Sequence, residues 1–137
     1  MFKKFALCFS VALIFSLSVY VYGEPIFKGY SDSFSVCFYS ASSSGTIKEI
    51  DGKDIPVFGK YGESFCKNNG EISVTEVFER FAAEVIFTEK IAEGVSYYAY
   101  SENIPYGKLI KGRKVNLHIF VGKEKTTVGS PIIFGSF

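Results

Sequence analysis

The chain has 137 residues, within the roughly 100–150 common for one domain. Hydrophobic residues make up 47% and charged residues 21%, which excludes a disordered chain. The formal net charge of +1 lacks the basic excess of a nucleic-acid binder, and one histidine, His118, leaves no two-His metal site within a chain.

Residues 1–23 read as a secretory signal peptide. Lys3 and Lys4 form a basic start, an apolar run interrupted only by serines follows, and Val21 and Gly23 are small enough for a cleavage site. The alternative is an uncleaved membrane anchor, since the apolar run lies near the lower limit of about 17–25 residues for a spanning helix. Removing 23 of the 137 residues leaves an exported domain of 114, residues 24–137. The leader carries two lysines and no acid, so 15 basic residues against 14 acidic become 13 against 14, a net of −1. A mature chain of that charge has no reason to seek DNA or anionic lipid. Cys37 and Cys66 remain as a possible disulfide closing a long loop, worth roughly 2–4 kcal/mol. Two buried free thiols are the competing reading.

Residues 33–40 alternate Phe34, Val36 and Phe38 with smaller or polar side chains, a strand pattern. Residues 41–45 are a polar loop. Residues 46–50 and 53–58 flank Asp51-Gly52, a favoured two-residue hairpin turn, and Pro56 puts the second strand at an edge. Residues 60–66 are ambiguous. A helix is predicted over about 74–83: Ser73 is the N-cap, Glu76 completes a capping box, and Ile72 and Val77 form a staple. Val74, Val77, Phe78, Phe81 and Ala82 make one apolar stripe, which reads as a helix on a sheet.

The rest reads as β. Residues 84–91 and 94–101 pair through a short turn. Residues 106–110 and 113–121 flank the tight Lys111-Gly112 turn, with Val115, Leu117, Ile119 and Val121 on one face and Asn116, His118 and Phe120 on the other. Residues 122–125 form a polar turn, and 126–134 close the chain with Pro131 at an edge or bulge. The predicted class is α+β: an antiparallel sheet with one amphipathic helix packed on one face.

No catalytic set emerges. His118 sits in mid-strand, and no Gly-x-Ser-x-Gly elbow accompanies it. The carboxylate pairs Glu76/Glu79, Glu89/Glu93 and Asp51/Asp54 read as solvated charge on a helix, a turn and a hairpin tip. No phosphate loop, zinc spacing or calcium loop appears, so no cofactor or metal is expected. The candidate binding surface is aromatic. Tyr98 and Tyr100 share a strand face that His118 can join, and tyrosines are low-entropy contacts for sugars or partner chains. A half-buried sheet face is the plainer reading of the same residues.

The stretches 94–101 (GVSYYAYS), 114–119 (KVNLHI) and 128–133 (VGSPII) resemble the end of the YwmB-like proteins. These are small exported proteins of Firmicutes whose fold is compared to the TATA-box-binding protein. The resemblance covers about half the mature chain and implies an envelope or spore-coat setting, without the DNA binding of that fold's name. The expected function is an exported, non-enzymatic binding or assembly module of the bacterial cell envelope, with an envelope protein or glycan as partner. Nucleic acid is not expected, and membrane only through the N-terminal segment. The alternatives are a small exported hydrolase using Asp/Glu carboxylates, or a secreted inhibitor presenting a hairpin such as the Asp51-Gly52 turn.

Overall fold

The computed structural model of the chain describes residues 2–38, 46–51, 55–56 and 60–134. Helix α1 (Phe2–Val21) and the short β1 (Tyr22–Gly23) come first. Then follow β2 (Ser33–Phe38), β3 (Thr46–Asp51), β4 (Ile55–Pro56), β5 (Lys60–Asn68) and α2 (Val74–Phe81). The remainder is β6 (Glu84–Ile91), β7 (Gly94–Tyr100), β8 (Lys108–Ile110), β9 (Arg113–Val115), β10 (Leu117–Gly122) and β11 (Lys125–Ser130). The class is α+β, with two helices and a seven-stranded antiparallel sheet in the order β3-β2-β5-β11-β10-β7-β6. Two small ladders, β1-β4 and β8-β9, stand outside it.

Helix α2 forms where its local signals put it. The Ser73 side chain accepts a hydrogen bond from the Glu76 N–H, which satisfies one of the free amides of the first turn. The helix stops two residues short of the predicted end because Ala82 turns left-handed (φ 48°). The Ala82 and Ala83 N–H groups then close back on Glu79 and Phe78. Val77 and Phe81 are buried in one cluster with Phe27, Phe34, Phe65, Leu117, Ile119 and Val128, and Val74 and Phe78 pack against it. Ala82, the last member of the predicted stripe, is exposed.

Three hairpins form as their turns dictate: β6-β7, β8-β9 and β10-β11. The β8-β9 turn has Lys111 and Gly112 both at positive φ (51° and 73°), the conformation that a two-residue hairpin needs. Elsewhere long-range pairing overrides local pattern. The strand over 46–51 pairs with β2, Phe34 opposite Ile50, and not with Ile55–Pro56, the described part of the expected partner. β4 pairs with β1 instead, and Gly52 of the expected turn lies outside the described residues, as does the predicted loop 41–45. The ambiguous 60–66 becomes β5, between β2 and β11. β11 is likewise internal and ends at Ser130, so Pro131 follows the strand and does not mark an edge within it.

The predicted strand 113–121 breaks at Asn116. Its side chain is fully buried, Oδ1 accepting from the Ser101 N–H (2.8 Å) and Nδ2 donating to the Ser101 and Ile104 carbonyls (2.7 and 3.0 Å). Its backbone N–H still donates to the Ala99 carbonyl of β7 at 3.0 Å, while the side-chain amide serves the loop that precedes β8.

Helix α1 differs in kind. Phe5 is 79% exposed, and Leu7, Phe9, Val11 and Ile14 are exposed as well. Among the described residues no helix is long and apolar enough to cross a membrane. Immediately after it the chain docks. Phe27 is 0% exposed, edge-on to Phe81 at 5.7 Å, and its N–H donates to Glu63 Oε1 at 2.9 Å. Arg80 braces this segment, donating to the Lys28 carbonyl and lying over the Tyr30 ring.

Candidate functional site

The sheet face opposite the Phe27 cluster carries the aromatic residues singled out from the sequence. Register lines up Phe87, Tyr98 and His118 on adjacent strands β6, β7 and β10. Their rings stack in series, Phe87 on Tyr98 at 4.4 Å and Tyr98 on His118 at 4.3 Å. A β-bulge in β6 makes this possible. Val85 opposes Ala99 and Phe87 opposes Tyr98, so Ile86 is the extra residue. Without it Phe87 would point to the face of Val85. The Ile86 carbonyl, freed from the ladder, accepts from Arg113 Nη1 at 3.0 Å.

Tyr98 and His118 are therefore brought together. Tyr100 lies two residues further along β7, under the Lys114 ammonium, which sits 5.3 Å above its ring. The three do not line one open groove. His118 is 3% exposed, because the chain after β11 folds back across it. The Ile133 N–H donates to His118 Nδ1 at 3.1 Å. Two strand glycines make room for this return. A Cβ on Gly129 would lie 2.8 Å from Ile133 Cγ1, and one on Gly62 would lie 2.6 Å from the Phe134 ring.

The electrostatics follow from this cover. Burial pushes the His118 pKa down to about 4, against a smaller upward pull from the Glu89 carboxylate. The ring is neutral at ordinary pH, and with Nδ1 accepting a backbone N–H its proton sits on Nε2. That leaves Nδ1 no lone pair for general-base work. Burial, and then the Glu89 charge, raise the Tyr98 phenol above its ordinary value. The Lys111 ammonium hydrogen-bonds to Glu89 and holds that carboxyl below the usual carboxylate range.

The other candidates fall apart in space. Cys37 is buried and opposes Gly62 of β5, while Cys66 is exposed four residues further along that strand. At roughly 3.3 Å per residue the two lie about 13 Å apart, beyond the reach of a disulfide, and both are free thiols. Burial pushes the Cys37 thiol up. Of the carboxylate pairs, Glu76 and Glu79 are exposed on α2, Glu93 is exposed, and Asp54 lies outside the described residues. The acid that is buried among the described residues is Glu63, which none of those pairs contains. Its carboxylate takes the Lys60 ammonium at 2.9 Å and the Phe27 N–H, inside the protein. Among the described residues no three His, Cys, Asp or Glu side chains gather as metal ligands.

Sequence reasoning missed Phe87, Arg113 and Ile133, and it read Glu89 as solvated charge and Lys111 as a turn residue, not as parts of this site. The bulge at Ile86 leaves no mark in the alternation. Gly129, inside the predicted strand 126–134, is the signal that something lies close over the sheet, while Gly62 falls in the ambiguous stretch 60–66. Beyond the stack the same face opens into a shallow cleft of about 690 Å³, lined by Cys66, Ile91, Phe120, Lys125 and Thr127 among others. No protein family, no curated protein and no solved structure matches this chain.

Proposed function

We propose that the chain is an exported, non-enzymatic binding or assembly module of the bacterial cell envelope, made with a signal peptide over residues 1–23 and working as the domain from Glu24 onward. The single observation that carries this reading is the contrast across that junction. Before it, apolar side chains of α1 are exposed to solvent, a state that suits a segment destined for a membrane or for removal. Directly after it, Phe27 is fully buried and hydrogen-bonded to Glu63. In this reading the released domain is a sheet with α2 as the one helix docked on its face, Val77 and Phe81 reaching the cluster of Phe65 and Leu117. The binding role is supported by the way the buried polar groups are used. His118, Asn116 and Glu63 each serve internal hydrogen bonds, which suits a rigid scaffold. The resemblance to the YwmB-like proteins, which are exported, agrees with this assignment.

The test is to express the full chain in a Gram-positive host and determine the N-terminus of the extracytoplasmic product. The expected result is a 114-residue chain beginning at Glu24 that recovers a specific envelope protein or glycan on pull-down. A chain kept intact in the cytoplasm refutes export, and hydrolysis of an envelope substrate by the purified domain refutes the non-enzymatic part.

A further inference from the structure

The β8-β9 hairpin combines two features that, outside α1, do not occur together elsewhere among the described residues. The first is charge. No Asp or Glu occurs between Glu102 and Glu124, and within that run Lys108, Lys111, Arg113 and Lys114 fall in and around one two-residue turn. The second is exposed apolar surface. Among the described residues outside α1, Leu109 (72%) and Tyr106 (66%) are the most exposed large hydrophobic side chains, and both belong to the hairpin and its approach.

The hairpin is held so as to present them. Lys111 bridges to Glu89, Arg113 Nη1 donates to the Ile86 carbonyl, and Lys114 lies over Tyr100. Lys108 sits 5.7 Å from the rings of both Tyr61 and Phe134. These contacts fasten the arm by its cationic side chains. Lys111, Arg113 and Lys114 nonetheless remain exposed, and Leu109 stands directly opposite Lys114 in the ladder. Two nearby acids, Glu84 and Glu89, do not balance four cations.

We propose that this hairpin is a docking element for the surface of an anionic lipid bilayer: Lys111, Arg113 and Lys114 meet the headgroup charge while Leu109 and Tyr106 enter the interfacial layer. A leucine and a tyrosine beside several cations match both components of that interface, apolar at depth and negative at the surface. The net charge of −1 for residues 24–137 conceals the element because acids elsewhere cancel it. Charge acts over about a Debye length, roughly 8–10 Å in ordinary salt, so the local sum governs. The inference rests on the hairpin alone and stands or falls apart from the proposed envelope role.

The chain has no tryptophan, so Leu109→Trp in the full-length protein gives a single reporter at the hairpin. Helix α1 can carry the chain onto any vesicle, so cosedimentation is not the readout. The readout is blue-shifted emission and quenching by brominated acyl chains, compared on phosphatidylcholine vesicles and on vesicles with three parts in ten phosphatidylglycerol. The expected result is blue shift and quenching on the anionic vesicles only, abolished by salt at about five times physiological ionic strength, where the Debye length falls about twofold, to roughly 4 Å. The added triple change Lys111→Gln, Arg113→Gln and Lys114→Gln should weaken the anionic-vesicle signal on the order of 100-fold in lipid concentration, at roughly five-fold per cation. Unshifted, unquenched emission on anionic vesicles overturns the proposal, and so does equal quenching on neutral ones. The salt arm needs no charge variant, so a misfolded triple variant cannot rescue or sink the idea.

Discussion

Acidification should weaken this protein through one imidazole, and the size of the effect follows from its burial. His118 is 3% exposed, stacked on Tyr98 and roofed by residue 133, with a pKa of about 4 against 6.5 for the free group. The unfolded chain takes up a proton on His118 below about pH 6.5, while the folded chain resists until about pH 4. Between those values the unfolded state binds more protons, so stability is lost as pH falls through the window. The loss attributable to this ring is about 2 kcal/mol by pH 5 and about 3 kcal/mol by pH 4, and nothing above pH 7. Against a total of about 5–15 kcal/mol for a domain, that is a large fraction.

Carboxylates also titrate near the lower end, so the measurement is a difference. His118→Asn keeps an acceptor oxygen near the position of Nδ1 and removes the titration. Urea unfolding of both chains across the window should show the wild type losing about 2 kcal/mol more than the variant by pH 5. Because the chain has one histidine, its ring proton gives one NMR resonance, whose midpoint should lie near 4. A midpoint near 6.5, or parallel stability profiles for the two chains, refutes the reasoning.

Three further outcomes follow from the same contacts. Gly129→Ala puts a methyl 2.8 Å from Ile133 Cγ1, and should cost about 1–3 kcal/mol in urea while moving the His118 midpoint upward as the cover lifts; an unmoved midpoint would show that the returning segment after β11 does not set the burial. Asn116→Ala strips the 101–107 loop of its amide and leaves buried carbonyls unserved, a loss of about 2–4 kcal/mol by the same assay, and a change below 0.5 kcal/mol would contradict the network described. In the folded chain Cys8 and Cys66 should react rapidly with a thiol reagent and Cys37 slowly, all three reacting in denaturant; a mass deficit of one disulfide would instead require a different placement of Cys37 and Cys66.

What could be read in the sequence was what neighbouring residues decide. Ser73, Glu76 and the Val77–Phe81 spacing specify α2 within one stretch of chain, and the Lys111-Gly112 turn specifies its hairpin by two φ angles. The Asp51-Gly52 signal had the same local strength and gave the wrong partner. β3 gains more by pairing with β2, where six residue pairs including Phe34–Ile50 form, than a hairpin over the Pro56 segment offers. Asn116 shows the converse. Alternation assigns it a strand position beside His118, because a period-two pattern sees only a polar residue and not the 101–107 loop that its amide holds.

The candidate site divides along the same line. Parity alone places Tyr98 and Tyr100 on one face and His118 opposite the Leu117/Ile119 face, and both placements hold. That Tyr98 and His118 touch depends on the register of β7 against β10, which the turn at one end does not fix, since β8 and β9 intervene. Phe87 joins them only through the bulge at Ile86, and a one-residue insertion inverts every side chain after it. The burial of His118 depends on a return of the chain from β11 that no strand pattern encodes. Yet the glycines foreshadow it. A strand interior gains nothing from glycine unless a backbone or side chain must come closer than a Cβ allows, and Gly62 and Gly129 lie under Phe134 and Ile133. An aromatic face bearing a histidine, with glycines on the next two strands of the sheet, is therefore better read as a covered face than as an open one, and the exposed chemistry should be sought where the cover itself ends, on the β8-β9 arm.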